Sequence, residues 1–426
     1  MLVQLDYGKQ GLQVEIPDRN LIKVLQMHQP PALPDPQIEV IKSLLNPIGL
    51  NNSLFDLAKG KKNACVVICD ITRPVPNRIL LPPILRTLLA AGIEKSNICI
   101  LIATGIHRPN LGAELFELVG ETIAQTYNIE NHDGRNLSSH VNIGKLADWE
   151  AEIWLDKRFV ESDFKILTGF IEPHFMAGYS GGRKLVVPGI SSIETMKYLH
   201  GPEILSHPNS REGVLQGNPF HQVALEVAKR VGVDFIVNVA LNEHKEIVGV
   251  FSGELDHAHL AGVEFVSEHV SDTLPEPADI VITTAGGYPL DKTWYQAVKG
   301  MTAAVPIVKK DGTIILASEC SEGIGSPEFV KLMQNSADLD QFMDDIFNHR
   351  YFMIDQWQVQ KYAMVRKHAK VTTVSHGLSK EQKESIHIDW AEDMQTAIEM
   401  ALEQQGRNAR IAVLPKGPYI LPSLRS

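Results

Sequence analysis

The sequence ACVVICDITRP, residues 64–74, holds the pattern that decides the fold. Its first six residues form a short, continuous apolar run, which is typical of a parallel strand buried on both faces. Similar runs recur at residues 97–103, 165–170 and 235–241, and the last of them follows an amphipathic helical segment at residues 220–231. Strands that alternate with helices predict right-handed crossovers, and therefore an α/β fold with mostly parallel sheets.

The pattern changes on both sides of this region. Residues 2–5 and 12–16 alternate apolar with polar side chains around a Gly-containing turn, which predicts an antiparallel hairpin. After a Pro-containing stretch at residues 272–278 the α/β pattern restarts, with a strand at residues 279–284 and a helix at residues 291–305. The sequence therefore predicts two α/β domains with the active site in the cleft between them. Their expected ranges are residues 1–271 and residues 272–426.

The length and composition exclude several classes of protein. A chain of 426 residues is long enough for two or three domains, and 44% hydrophobic with 21% charged residues is a globular composition. The net charge of −11, without a basic block, argues against nucleic-acid binding. Cysteines without a CxxC pair, no signal-peptide pattern and no apolar run of about 18 residues predict a cytoplasmic protein without a membrane partner.

Ionisable residues gather where the predicted strands end. Asp70 and Arg73 follow the first strand, His107 follows the second and His174 follows the third. Ligands of open α/β sheets bind beyond the carboxyl ends of the strands, so these residues are candidates for a site. Structural alternatives remain open, because Asp70 could cap a turn, Arg73 could be a surface charge, and a single His is more often structural. The two His residues, however, occupy the same topological position.

A glycine-rich segment, GYSGGRK at residues 178–184, precedes a predicted helix that ends at His200. Its glycines let the backbone approach a ligand closely, and successive N–H groups can form an anion-binding nest. The segment is neither a P-loop nor a dinucleotide-binding fingerprint. Lys184 could therefore be solvated or could bind a phosphate, and His200 could be a partner of the helix C-terminus.

Two other kinds of site do not fit the motifs. The sequence has no HExxH and no GxSxG, which argues against zincin and α/β-hydrolase chemistry. His257 and His259 look like a metal-binding pair, but the segment around them is predicted to be helical. Residues two apart on a helix point roughly 200° apart, so these two rings cannot share one ion.

Five groups of residues share the spacing of one family. They are Asp70-x-x-Arg73, Thr104-Gly105-x-His107-Arg108, Glu172-Pro173-His174-x-x-x-Gly178-x-Ser180-Gly181-Gly182-x-Lys184, His200 and Tyr295-Gln296-x-x-Lys299. In these motifs the sequence resembles the lactate racemase family, whose members use the nickel-pincer nucleotide as cofactor. The two-domain layout of that family fits the whole chain, with the cofactor anchor and the catalytic His residues in the N-terminal domain and substrate-binding residues in the C-terminal domain.

The resemblance implies a role for each matched residue. The nickel-pincer nucleotide, a Ni(II) pyridinium-3-thioamide-5-thiocarboxylic acid mononucleotide, would be attached covalently to Lys184, with His200 as the protein ligand of nickel. His107 and His174 would be the general acid/base pair. The other expected cofactor-binding residues are Thr72, Ser180, Gly181, Gly182 and Asp70, of which Asp70 would also orient its neighbours. The expected substrate-binding residues are Arg73 and Lys299, which would hold the carboxylate, with Tyr295 and Gln296 nearby.

The activity that the resemblance implies is interconversion of the D and L enantiomers of a 2-hydroxy acid, either lactate or a similar short-chain acid. The hydrogen on Cα would leave as a hydride, because its loss as a proton would place a second negative charge beside a carboxylate. Separate accessory enzymes would be needed to synthesise the cofactor. Two alternatives remain: the same chemistry on malate, phenyllactate or a sugar acid, and a non-catalytic phosphate- or nucleotide-binding protein. A dehydrogenase of the NAD type would need a dinucleotide-binding motif, which the sequence lacks.

Overall fold

The computed structural model describes residues 1–146 and 151–425. The chain begins with the predicted antiparallel hairpin, in which Leu2 lies opposite Glu15. Side chains alternate across its strands, so Val3, Leu5 and Val14 all point into one core. The first elements are β1 (Leu2–Leu5), β2 (Leu12–Glu15), β3 (Leu21–Val24), α1 (Pro36–Leu45) and α2 (Leu54–Ala58).

The next part of the chain builds the first large sheet. Its elements are β4 (Ala64–Cys69), α3 (Asn77–Ala90), β5 (Ile98–Ala103), α4 (Ala113–Val119), α5 (Glu121–Thr126), β6 (Asn128–Asn131), β7 (His140–Lys145), β8 (Glu152–Asp156), α6 (Lys157–Val160), β9 (Phe164–Phe170), β10 (Pro173–His174), β11 (Gly178–Tyr179), α7 (Ile193–Leu199), α8 (Pro202–Ser206), α9 (Pro219–Val231), β12 (Phe235–Leu241), β13 (Ile247–Gly253) and α10 (Leu255–Val270). The strand order is β13-β12-β9-β4-β5-β6, and neighbours are parallel except for β12 and β13.

The apolar run of β4 is buried on both faces of this sheet, as its sequence predicts. Cys65 and Val67 face one hydrophobic core, whereas Val66 and Ile68 face the other. Complete burial of one such aliphatic side chain stabilises the fold by about 1.5–3 kcal/mol. Because β9, β4 and β5 are adjacent and parallel, their carboxyl ends lie side by side at one edge of the sheet.

The last part of the chain builds the second large sheet. Its elements are β14 (Ser271–Leu274), β15 (Ala278–Thr284), α11 (Trp294–Ala304), β16 (Val308–Ala317), α12 (Pro327–Asn335), α13 (Leu339–Phe347), α14 (Gln356–His368), β17 (Lys370–Val374), α15 (Lys380–Ser385), β18 (Trp390–Ala391), α16 (Met394–Gln405), β19 (Ile411–Leu414) and β20 (Leu421–Leu424). The order is β18-β17-β16-β15-β19-β3, with parallel neighbours. The helix expected at residues 291–305 begins at Trp294, because a 3-10 turn precedes it.

The N-terminal segment joins the second sheet rather than the first. β3 pairs in parallel with β19, and the hairpin packs on a core that contains Ile280 and Val413. The expected first domain, residues 1–271, therefore includes a segment that hydrogen-bonds within the other sheet. The alternating pattern of a short strand shows that one face is buried, but it does not identify the edge that the strand joins. No helix within the described residues is both long and apolar enough to cross a bilayer.

Candidate active site

A cavity of about 320 Å³ lies between the two large sheets. The carboxyl ends of β4, β5 and β9 form one side of it, and α11 with the start of α14 forms the other. It brings together twelve of the predicted site residues, namely Asp70, Thr72, Arg73, His107, His174, Ser180, Gly181, Lys184, His200, Tyr295, Gln296 and Lys299. Gly182 lies behind the wall, where its N–H donates to Asn238 Oδ1 at 2.8 Å.

His107 and Asp70 form a hydrogen-bonded pair at the exits of β5 and β4. His107 Nδ1 lies 2.7 Å from Asp70 Oδ2, and Thr72 Oγ1 donates to Asp70 Oδ1 at 2.6 Å. Burial raises the pKa of Asp70, but the hydrogen bond from His107 and the charge of Arg73 outweigh it and hold the pKa below its usual value. A carboxylate on Nδ1 commits the ring proton to that nitrogen, so neutral His107 carries its lone pair on Nε2.

His174 has the opposite arrangement. It is the last residue of β10, before the short turn that leads to β11, and its Nδ1 accepts the backbone N–H groups of Met176 and Ala177, both at 3.2 Å. A nitrogen that accepts two N–H groups carries no proton, so neutral His174 has its proton on Nε2. Burial, and then the positive charges of Lys184 and Lys299, hold its pKa well below the usual value.

Lys184 is a buried amine among other cations. Burial, and then the charges of Arg73, Arg183 and Lys299, lower its pKa well below the usual value. Its Nζ lies 5.9 Å from the centroid of the Phe220 ring. A lysine whose pKa is lowered in this way is available as a neutral nucleophile, which a solvated surface lysine is not.

The glycine-rich segment is held from inside the protein by Arg183. This side chain is 1% exposed, and its guanidinium donates to the carbonyl oxygens of Ala177 and Tyr179, both at 2.9 Å. The amide of Ser180 donates to Glu172 O at 2.9 Å, and the amide of Gly182 is bound to Asn238. The expected anion nest is therefore not formed by these amides, because they already bind protein acceptors.

Ser180 also uses its hydroxyl inside the protein. Its Oγ accepts the N–H of Glu172 at 2.9 Å and donates to Phe170 O at 2.9 Å. Gly181 and Gly178 both have positive φ, and a Cβ on Gly178 would lie 2.2 Å from Val214 O. The glycines thus allow a tightly packed turn that presents Lys184.

His200 ends α7, as expected, and faces the same cavity. Its Nδ1 donates to Met196 O at 3.0 Å, so the lone pair of the neutral ring lies on Nε2. Burial, and then the charge of Lys184, lowers its pKa to about 4, although the bond to Met196 opposes the shift. Such a neutral imidazole, oriented by a backbone carbonyl, has the form of a metal ligand. Within the described residues no three His, Cys, Asp or Glu side chains converge as a metal site.

The opposite wall comes from the second half of the chain. Burial and the charge of Arg73 lower the pKa of Lys299 to about 8, and Glu172 opposes this shift. Tyr295 accepts the indole N–H of Trp357 at 3.1 Å, and Gln358 Nε2 donates to Tyr295 O at 2.5 Å. Tyr295 lies in the first turn of α11 and Lys299 in the second.

Four residues in or beside the cavity stand out among those that sequence reasoning missed. Arg183 was not singled out because a charged residue in a glycine-rich segment usually faces solvent. The others, at the start of α14, follow no strand and belong to no motif that was matched; they are Asp355, Trp357 and Gln358. The amphipathic periodicity of α14 is weak because the helix is buried on several sides, so periodicity offered no signal there.

Comparisons with known proteins identify the family of the chain. Residues 7–213 match the family model of the lactate racemase N-terminal domain, and residues 274–421 match that of the lactate racemase C-terminal domain. The chain is 37% identical over 423 residues to the lactate racemase of Thermoanaerobacterium thermosaccharolyticum, with 98% of each chain covered. It is also 37% identical over 421 residues to the lactate racemase of Lactiplantibacillus plantarum, covering 97% of this chain and 98% of that one.

Solved structures show the same relationship. The lactate racemase apoprotein from Thermoanaerobacterium thermosaccharolyticum matches with a TM-score of 0.93 and 36% identity, over 100% of both chains. A protein from Thermotoga maritima matches with a TM-score of 0.69 and 18% identity, over 94% of this chain and 100% of that one, and it shares the fold. The predicted α/β fold with two domains is confirmed. The chain belongs to the lactate racemase family and is an isomerase of the racemase type.

Proposed function

We propose that this chain racemises lactate or a similar short-chain 2-hydroxy acid, using a nickel-pincer nucleotide attached to Lys184. The observation that carries the proposal is one cavity that is lined by a buried lysine with a lowered pKa, by two His side chains and, on opposite walls, by Arg73 and Lys299. These are the groups needed to anchor a cofactor, to hold a carboxylate and to move a hydroxyl proton. The membership of the chain in the lactate racemase family supports the same assignment.

The residues present fit the cofactor. Lys184 has the lowered pKa of a nucleophilic amine, and His200 has a lone pair on Nε2 and a pKa low enough to stay neutral. We infer that Lys184 forms the covalent link, that His200 binds nickel and that Thr72 contacts the phosphate. Gly181 would contact the cofactor beside Lys184, while Ser180, Gly182 and Asp70 would shape that wall. When bound, the group supplies a reversible acceptor for the Cα hydrogen and its electron pair.

The substrate carboxylate would bind between Arg73 and Lys299. These cations come from the exit of β4 and from α11, so they approach from opposite sides of the cavity. Burial and the nearby charge of Arg73 disfavour the charged form of Lys299, so a bound carboxylate would stabilise that form. Tyr295 and Gln296 would complete this wall and limit the space beside the substrate.

The hydroxyl proton would go to a His. Nε2 of His107 has the lone pair required of a base, and Asp70 on Nδ1 would stabilise the imidazolium that forms. His174 would serve the other enantiomer. Because its Nδ1 accepts two backbone N–H groups and its proton is on Nε2, the ring must leave these contacts and take the tautomer with the proton on Nδ1 before Nε2 can accept a proton.

The test is co-expression of the chain with enzymes that synthesise the cofactor, followed by a screen of chiral 2-hydroxy acids for loss of optical rotation. Lys184→Ala, expressed in the same way, is the matched control. We expect lactate or a similar short acid to lose its rotation with the parent chain alone. A sample with the adduct and stoichiometric nickel that leaves every acid unchanged would overturn the proposal.

A second measurement tests the route of the hydrogen. Lactate that is racemised in heavy water should keep its Cα hydrogen through each turnover, because a transferred hydride does not exchange with solvent. Rapid exchange of that hydrogen with deuterium would indicate a carbanion and would exclude the hydride route.

A further inference from the structure

The backbone just beyond His200 forms a helix that is too short to be stable alone. His200 ends α7, and Gly201 leads directly into α8. α8 has only five residues, and Gly201 at its N-cap has no side chain to cap it, so its own contribution to stability is small. The last carbonyls of a helix have no partner inside it. The contacts that α8 makes with the rest of the molecule therefore decide how firmly this backbone is fixed.

One face of α14 meets His200 and α8. Trp357, Gln360 and Lys361 are spaced i, i+3 and i+4, so their side chains lie on the same face of the helix. The centroid of the Trp357 ring lies 5.0 Å from that of the His200 ring. α14 directly precedes β17 of the second large sheet, whereas α8 lies between β9 and β12 of the first. The contact therefore crosses from one half of the molecule to the other.

The buried side chain of Gln360 binds both ends of α8. Its Nε2 donates to Pro202 O and to Ser206 Oγ, both at 2.9 Å, and these are the first and the last residues of the helix. A backbone carbonyl oxygen can only accept, so the nitrogen of the amide, rather than its oxygen, is the atom that faces Pro202. The bond to Pro202 fixes the backbone two residues beyond His200.

Lys361 binds the C-terminal end of α8. Its Nζ donates to Leu205 O at 2.9 Å and to Ser210 O at 2.7 Å, and both bonds are buried. The side chain is 4% exposed and makes no ion pair within the described residues, so these carbonyls are the partners that satisfy its buried amine. Lysines often bind the last carbonyls of their own helix. Here the lysine that binds α8 comes from a helix of the other half.

We propose that Gln360 and Lys361 are positioning residues for the nickel site, which fix the backbone that follows His200 by holding α8 against α14. The bond from His200 Nδ1 to Met196 O sets the tautomer of the ring, whereas the contacts with α14 set where the ring lies. The role of His200 toward nickel rests on the proposed function. The hold of α14 on α8 does not.

The alternative is that these bonds only join the two halves. Thr302 provides a matched control, because its Oγ1 donates to Glu212 Oε1 and so joins α11 to the same segment, but farther from His200. If joining the halves were all that mattered, Thr302→Val would disturb His200 as much as changes at α14 do. Lys367, an exposed residue of α14, controls for the exchange of lysine for methionine.

The first experiment requires neither cofactor nor activity. The cofactor-free full chain is labelled with ring-¹³C histidine, and the signals of His200, one of 16 histidines, are assigned by their loss in His200→Gln. These signals should move in Lys361→Met and in Gln360→Met, the second of which retains the lysine and nearly the shape of the glutamine. They should stay in place in Thr302→Val and Lys367→Met. Thermal unfolding curves verify that each variant is folded.

Two results of this experiment would overturn the inference. The first is a set of His200 signals that do not change in the folded Lys361→Met and Gln360→Met chains. The second is an equal movement in Thr302→Val, which would show that any loosening between the halves reaches the ring.

The second experiment measures how fast the cofactor-loaded chain gives up nickel to EDTA. Lys361→Met and Gln360→Met should keep the organic part of the cofactor, seen by intact mass, but release nickel roughly 10-fold faster than the parent chain. Release from Thr302→Val and Lys367→Met should stay within about 2-fold of the parent. Parental release rates in both α14 variants would contradict the proposal. If the chain acquired no nickel at all, the proposed function would fall, while moved His200 signals would still support the hold of α14 on α8.

Discussion

His107 and His174 both follow a parallel strand of the same sheet, yet their rings have opposite surroundings. The side chain of His107 is 51% exposed and its Nδ1 pairs with a carboxylate, whereas Nδ1 of His174 accepts two backbone N–H groups next to buried cations. The first ring can accept a proton at Nε2, whereas the second offers its Nε2–H as a hydrogen-bond donor. Two residues at equivalent positions of a fold therefore need not be equivalent acid/base groups, because the atom bound to Nδ1 decides the role of Nε2.

The largest effect is expected from removing Lys184, the proposed cofactor anchor, because both His residues act on a substrate that the cofactor must oxidise. Lys184→Ala should give folded protein without covalent cofactor and without racemase activity, since the buried amine is the proposed anchor. Intact mass of co-expressed protein measures the adduct, and a thermal unfolding curve checks the fold. An adduct that survives in Lys184→Ala would place the anchor at another residue.

Removing either ring tests whether both are needed. We expect His107→Ala and His174→Ala each to lower kcat by ~10²-fold or more, in both directions of racemisation. Optical rotation, with each enantiomer as the starting material, measures the two rates. Near-normal rates in both single variants would refute the two-base assignment.

The hydrogen bond between Asp70 and Nδ1 of His107 has no counterpart at His174, so a change at Asp70 tests one ring alone. Asp70→Asn can donate to Nδ1 of His107 and so place the ring proton on Nε2, and we expect kcat to fall roughly 10-fold or more. In a His107→Ala background the same change should cost nothing further, because the residue acts through that ring. Equal effects of Asp70→Asn in the two backgrounds would show that Asp70 acts elsewhere.

The buried ring should also make stability depend on pH. The pKa of His174 is depressed in the folded chain, so below about 6.5 the unfolded chain binds a proton that the folded chain does not. The free energy of unfolding should therefore decrease as the pH falls below about 6.5. Urea unfolding of the cofactor-free chain at pH 7.5 and 5.5 should show a loss about 1 kcal/mol larger than in His174→Gln. His107→Gln serves as the control, and an unchanged pH dependence in His174→Gln would contradict this account.

The sequence located most of the site for one physical reason. Asp70, His107 and His174 follow apolar runs that are typical of buried parallel strands, and β4, β5 and β9 proved to be neighbours. The neighbour relation itself was not visible in the sequence, and neither was the pairing of β3 with β19. Both depend on contacts between segments far apart in the chain.

The rest of the site depends on hydrogen bonds that no sequence pattern predicts. The two terminal nitrogens of the buried Arg183 guanidinium lie within hydrogen-bond distance of four backbone carbonyls and His259 Nε2, whereas its Nε has no partner within the described residues. Asp355 belongs to the site because the backbone turns at one residue before α14. Residue type and spacing predict which face of an element is buried, but they do not predict such individual bonds.

The helix α14 also fastens the two halves of the molecule to each other. Gln360 Nε2 donates to Pro202 O and Ser206 Oγ, both at 2.9 Å, and Lys361 Nζ donates to Leu205 O at 2.9 Å and Ser210 O at 2.7 Å. Three of these bonds are buried and the bond to Ser206 is partly buried, so separating the halves would leave their polar groups without these partners. We therefore expect heat or denaturant to melt both sheets in one cooperative step rather than one after the other.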